Sequence, residues 1–265
     1  MKPIYAYNYT AIVRNFAERM KDRIFVDSLH PSKDLLLYGL QRSGTNYFER
    51  TLKENFVVNF LNSDDDRRHP IQKHFRIFDD KSLTSMKDYS NDSIFESFAD
   101  FENAVGVKVS AYMIISKDPY SWFLSYRSWA EKCNWPAFSS HPAKEYEAFY
   151  QKWMDFAAQS DQVHFVKYID LLEEPEEALL KIGEKLELHR RVKSKISLQT
   201  PEKVPQSKNF SDAAKRFYTE KEYLRNFTER EIGTINEYVS DKTFAALGYE
   251  RYTEAMSETG ADSSN

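Results

Sequence analysis

The hydrophobic pattern alternates between two kinds of segment. Short apolar runs recur at Leu35–Tyr38, ending in Gly39, at Val57–Leu61, at Tyr112–Ile115 within the stretch Val105–Ser116, and at Val163–Lys167. The uninterrupted runs, Leu35–Tyr38 and Tyr112–Ile115, fit strands covered on both faces. Residues 71–78, Ile-Gln-Lys-His-Phe-Arg-Ile-Phe, alternate and read as a further strand or the end of one. Between these runs the spacing is helical. Residues 45–56 put Phe48, Leu52 and Phe56 on one face, Trp122 to Ala130 form an aromatic helix, and 144–160 form another. Pro175 opens a helix at its favoured first position, followed by Leu179, Leu180, Ile182 and Leu186. Thr228 and Glu231 form a capping box for a last helix running to about Val239. Residues 8–29 read as an N-terminal helix, 62–70 as a polar loop and 80–104 as a lid or insertion. Strands alternating with helices predict an α/β fold with a central parallel sheet flanked by helices. We expect one domain over residues 1–252, with 1–30 as a helical extension and 253–265 as a flexible polar tail.

The first strand runs straight into Gly39-Leu40-Gln41-Arg42-Ser43-Gly44-Thr45-Asn46. The chain has only 7 glycines, and two of them bracket this loop. Strand, tight glycine loop and helix together offer backbone N–H groups and a helix N-terminus to an anion. The Gly39 to Gly44 spacing is that of a phosphate-binding P-loop. A nucleoside-triphosphate loop would continue with Lys and then Ser or Thr. Here Thr45 and Asn46 follow, and the positive charge has moved inside the loop to Arg42. Such a loop can hold an anion but lacks the usual parts for gripping Mg-ATP.

Composition narrows the setting of that site. At 265 residues and 41% hydrophobic content, the chain is long and apolar enough for a sizeable core. A net charge of −4 argues against nucleic-acid binding through the overall field, so any anion site must be a local basic pocket. The single cysteine, Cys133, rules out an internal disulfide. No run of 18 apolar residues exists, and the first residues lack the apolar core of a signal peptide. We therefore expect a cytoplasmic protein with no membrane span; its oligomeric state is open.

The segment Arg42-Ser43-Gly44-Thr45-Asn46 resembles the first motif of sulfotransferases that use 3′-phosphoadenosine-5′-phosphosulfate (PAPS). A second segment, Ile114-Ile115-Ser116-Lys117-Asp118-Pro119 through Ser125, is similar to the one with which that family holds the 3′-phosphate. Lys117 and Ser125 stand eight residues apart across a strand-to-helix junction, and Lys117 replaces the family's usual arginine, so the bidentate fork is lost. Residues 165–172 look like the family's strand followed by Tyr-Glu-Asp-Leu, with Ile169 in place of the glutamate. Leu247-Gly248-Tyr249 matches a common family ending. The four likenesses span roughly residues 33–250. They imply a P-loop-like sulfotransferase fold. They also imply PAPS as sulfuryl donor, no metal, and a small-molecule or carbohydrate acceptor.

On this resemblance, Arg42, Ser43, Gly44, Thr45 and Asn46 hold the 5′-phosphosulfate, and Lys117 and Ser125 hold the 3′-phosphate. His74 is the candidate base, amid Arg67, Arg68, Lys73 and Arg76, with His69, Glu49 and Asp79 as competitors. Histidine suits the task because it ionises near neutrality. The basic cluster over 67–76 either grips an anion or balances Asp64-Asp65-Asp66. The aromatic residues Tyr120, Trp122, Phe123, Tyr126, Trp129 and Trp135 either line an acceptor cleft or fill the core. Lys208, Lys215 and Arg216 are candidates for a C-terminal clamp on the 3′-phosphate, left unassigned because no Arg-Lys-Gly is present. Two other possibilities stay open: a P-loop kinase of small molecules, and an inactive nucleotide-binding relative.

Overall fold

The computed structural model describes residues 29–62, 69–77, 95–135, 140–191, 196 and 212–253. The expected N-terminal helix and polar tail lie outside these residues, apart from Leu29, His30, Tyr252 and Thr253. Four strands, β1 (Lys33–Tyr38), β2 (Val58–Phe60), β3 (Ala111–Ser116) and β4 (Val163–Lys167), form one sheet in the order β2-β1-β3-β4. All three pairings are parallel. The helices are α1 (Thr45–Asn55), α2 (Phe98–Val105), α3 (Pro119–Lys132), α4 (Pro142–Ala157), α5 (Asp170–Glu173), α6 (Pro175–Lys185), α7 (Asp212–Thr219), α8 (Glu229–Tyr238) and α9 (Asp241–Leu247), with a 3-10 turn at Glu222–Asn226.

Leu35–Tyr38 of β1 and Tyr112–Ile115 of β3 read as unbroken apolar runs because each residue faces one of two cores. Leu36, Tyr38, Tyr112 and Ile114 point into an aromatic layer with Phe101, Trp153 and Phe156. Their neighbours Leu35, Leu37, Met113 and Ile115 point the other way, against Phe48, Leu52 and Leu179. This is the two-sided burial that a parallel sheet requires. Start signals hold as well. Asp118 accepts a bond from the Ser121 N–H at the head of α3. Pro175 opens α6, and the Thr228–Glu231 box caps α8.

Three expectations need correction. The described part of the strand expected over 71–78 is a turn at 71–74, with Gln72 as a single bridge residue, followed by irregular backbone at 75–77. The reason is positional: β1 already has β2 on one side and β3 on the other, so it offers no free edge. The segment folds instead across the end of β1, where the Gly39 N–H donates to Lys73 O at 3.1 Å and the Tyr38 hydroxyl to Pro70 O at 2.8 Å. Asn62 holds it there, accepting from the Leu37 N–H and donating to Ile71 O. The stretch expected as a lid contains α2, which the Ser97–Asp100 capping box starts and Gly106 ends. Helix α8 is not the last, because Ser240 caps α9 directly after it.

The strand order sets the place of the site. From β1 the chain first builds β2 on one side, then returns to add β3 on the other. The connections that leave the C-terminal ends of β1 and β3 therefore go to opposite faces of the sheet, α1 to one core and α3 to the other, and the point where they part is the usual ligand position in open α/β sheets.

Candidate functional site

The loop after β1 lies at that point. Gly44 lies at φ 100° and gives α1 no side-chain cap. Its carbonyl takes the N–H groups of Tyr47 and Phe48. The N–H groups of Gly44, Thr45 and Asn46 donate to no acceptor among the described residues, so the positive end of α1 is open. The Ser43 hydroxyl is buried and lacks a hydrogen-bond partner among the described residues. Both glycines are forced by packing. A Cβ on Gly39 would come within 2.5 Å of Ser43 Oγ and 2.8 Å of Ile115, and one on Gly44 within 2.4 Å of the Tyr168 ring. Arg42 is also left-handed, at φ 72°. A non-glycine residue there stores roughly 1–2 kcal/mol of strain. Its exposed guanidinium lies 4.8 Å over the ring of Trp129.

His74 lies beneath the loop. Its Nδ1 sits 2.7 Å from Gly39 O. A carbonyl oxygen only accepts, so Nδ1 carries the hydrogen and Nε2 is the nitrogen that can take up a proton. The backbone N–H of His74 donates to Gln72 Oε1. Its neighbour Lys73, nearly buried, sends Nζ to 3.1 Å from Asn46 Oδ1 and 4.0 Å from Glu49. A cation thus stands at the first turn of α1 although the loop has no P-loop lysine. Arg76 and Glu145 form a buried ion pair, 2.6 Å from Nε to Oε1, each 1% exposed. Arg76 Nη1 donates to His74 O at 2.7 Å, and Nη2 donates to the Gln41 side chain. The Gln41 carbonyl also receives the Trp122 indole N–H at 2.9 Å.

Lys117 follows directly on the end of the neighbouring strand, β3. It is buried. No carboxylate lies within 4.0 Å of its amine among the described residues. The amine lies 4.3 Å from the Tyr218 ring centre and 5.3 Å from that of Tyr168. Desolvation lowers its pKa, an effect that the Tyr218 hydroxyl partly offsets. Lys117 lines a cavity of about 190 Å³ together with Asp118, Ser121, Tyr168, Tyr218 and Tyr223, among others. Ser125 is not among the lining residues. It is half-buried on α3, between Ser121 and Trp129 at i,i+4 spacing, on the stripe that ends where Arg42 stacks.

Asp118 shares this cavity. Burial raises its carboxyl to about 6, against hydrogen bonds from the Ser121 N–H and the Tyr223 hydroxyl. The native state therefore holds this proton more tightly than the unfolded chain, whose ordinary value is 3.8. The contribution of this group to stability is fully present below about pH 4 and is lost as pH rises through 6, by about 3 kcal/mol in all. Asp118→Asn keeps a capping side chain and should flatten that decline in unfolding free energy measured from pH 4 to 7. Equal pH slopes in the two proteins would show that Asp118 is ionised without penalty.

The other candidates divide. Glu49 is paired with Lys53 at 2.7 Å, and His69 Nδ1 accepts the Ile71 N–H within its own turn. Arg67, Arg68, Asp79 and Lys208 lie outside the described residues. Lys215 and Arg216 do not line the cavity; on α7 it is Tyr218 and Thr219 that reach it. Tyr120, Trp122, Phe123 and Tyr126 belong to the core, Trp135 packs against it, and Trp129 alone of the six is exposed, at 39%. Sequence reasoning missed Glu145, Tyr168 and Tyr218 as parts of the site. No described helix is long and apolar enough to cross a membrane. The chain matches no family model, no curated protein and no solved structure.

Proposed function

We propose that this protein is a sulfotransferase that moves a sulfuryl group from PAPS to a hydroxyl or amine of a carbohydrate or small-molecule acceptor. One observation carries the proposal. The ends of the adjacent strands β1 and β3 carry two groups suited to anions: a loop with open N–H donors, and a buried lysine with no carboxylate within 4.0 Å among the described residues. A ligand with two separated phosphate groups answers both. A cavity of about 190 Å³ is smaller than a whole small-molecule pocket of roughly 300–1,000 Å³, so it suits one end of a nucleotide. Thr45 in the P-loop lysine position speaks against Mg-ATP as the donor.

In the proposed reaction the acceptor oxygen or nitrogen attacks sulfur, and the bond from sulfur to the bridging phosphate oxygen breaks. The acceptor proton passes to His74 Nε2. Negative charge grows on the departing 5′-phosphate, where Arg42, Lys73 and the N–H groups of Gly44 to Asn46 can meet it. The chemistry needs positioning and charge stabilisation more than a covalent intermediate. Lys117 anchors the 3′-phosphate, and Ser125 is the hydroxyl on the same helix face as Arg42's platform.

Binding of the two donor nucleotides tests this directly. Lys117→Met should fold well, because an apolar chain replaces a desolvated ammonium. It should weaken 3′-phosphoadenosine-5′-phosphate by about 10- to 150-fold, as expected for one charge-assisted bond of about 1.5–3 kcal/mol. Adenosine 5′-phosphosulfate, which lacks the 3′-phosphate, should bind both proteins alike. Equal losses for both nucleotides would remove Lys117 from the 3′-phosphate site.

A further inference from the structure

The ion pair between Arg76 and Glu145 has no part in the transfer step, yet it lies directly behind it. Arg76 is buried between Phe75 and Ile77, and three of its donors meet partners in the protein. One goes to Glu145 on α4, one to the His74 carbonyl, and one to the Gln41 side chain in the loop. Helix α4 reaches further. The second Glu145 oxygen accepts from the Tyr126 hydroxyl of α3 at 3.2 Å. Tyr146 donates to Lys117 O at 2.7 Å, and Tyr150 donates to Ile115 O at 2.9 Å. The first turns of α4 therefore hold the end of β3 directly, and hold the His74 turn and the glycine loop through one guanidinium. An apolar pair of similar volume would pack this space about as well as a buried ion pair does. What it could not do is aim three donors at once.

We propose that the Arg76–Glu145 pair is a positioning device that fixes His74 and the loop after β1 in one register. Arg76 sets the His74 backbone, and the His74 ring then meets Gly39 O through Nδ1–H, which leaves Nε2 as the basic nitrogen. This inference rests on His74 as the base, but its primary readout does not need turnover. Two variants of the full chain separate positioning from packing. Arg76→Lys keeps a charge beside Glu145 and loses the fork. Arg76→Met with Glu145→Leu replaces the pair with apolar volume, a swap that folded proteins tolerate.

Nitrogen-15 NMR of the His74 ring, identified by its loss in His74→Gln, reads the tautomer. The wild type should hold Nδ1–H, and both variants should gain the Nε2–H form while melting cooperatively. Once an acceptor is in hand, the maximal rate should fall on the order of 10- to 100-fold, with donor binding within about twofold of wild type. Retention of pure Nδ1–H in a folded variant would overturn the proposal. So would collapse of both variants, which would make the pair simply part of the scaffold. If the tautomer shifts and no PAPS turnover exists in any protein, the positioning role stands and the sulfotransferase proposal fails.

Discussion

His74→Ala is expected to lower the maximal rate by about 100- to 10,000-fold, the usual weight of a general base. Donor affinity should be nearly unchanged. The expectation rests on the bond from Nδ1–H to Gly39 O, which assigns the basic lone pair to Nε2. The acceptor proton is the only part of the reaction that this nitrogen serves, so the loss belongs in the rate and not in PAPS binding. The assay is transfer from labelled PAPS to an acceptor found by screening hydroxyl and amine compounds. The wild-type rate should also fall as His74 becomes protonated, and that acid limb should vanish in the variant. If His74→Ala keeps its rate and its acid limb, the base is elsewhere, with Glu49 and Asp79 the next candidates. If it loses PAPS binding instead, His74 belongs to the donor site.

Arg42→Ala should cost on the order of 100-fold or more in turnover while lowering stability by no more than about 1 kcal/mol. The rate loss follows from removing a donor that meets charge growing in the transition state. The stability expectation has separate roots. Arg42 is exposed and holds a left-handed backbone. Its visible contact is the Trp129 ring, a cation–π contact worth about 0.5–1 kcal/mol at an exposed site. Arg42→Gly relieves the backbone strain as well and should melt higher than Arg42→Ala, with the same rate defect. Near-wild-type turnover in a folded Arg42→Ala protein would remove Arg42 from the reaction.

The sheet was legible because parallel strands advertise themselves. Leu35–Tyr38 and Tyr112–Ile115 have no polar face to show, and the sequence carries that directly. The 71–77 segment misled for a physical reason. Its alternation of Phe75 and Ile77 with polar residues is real, but it reflects burial of Phe75 and Ile77 beside Arg76 in irregular backbone at the sheet end. Local periodicity cannot show that β1 has no free edge.

The glycine loop was legible because glycine is scarce here and both glycines have a packing reason. Lys117 was singled out by the likeness of its segment to the one with which the sulfotransferases hold the 3′-phosphate, and it stands just after β3 and lines the cavity. Glu145 left a usable signal: it is a carboxylate on the same buried stripe of α4 as Tyr146, Phe149 and Trp153, and a charge among aromatics needs a partner. Tyr218 left none, since nothing local links α7 to Lys117, 101 residues earlier in the chain. The placement of Lys73 against Asn46 was equally silent, because it depends on the bond between Gly39 N–H and Lys73 O.

Ligand-dependent thermal unfolding tests the central claim most directly. The protein would be melted in chelator with 3′-phosphoadenosine-5′-phosphate, and in parallel with Mg-ATP. Any ligand that binds only the folded state raises the midpoint, by an amount set by about 2.7 kcal/mol at a hundredfold excess over its Kd. The two groups suited to anions predict strong stabilisation by 3′-phosphoadenosine-5′-phosphate without magnesium, weaker stabilisation by nucleotides lacking the 3′-phosphate, and little from Mg-ATP. Stabilisation by Mg-ATP alone, with none from 3′-phosphoadenosine-5′-phosphate, would contradict it.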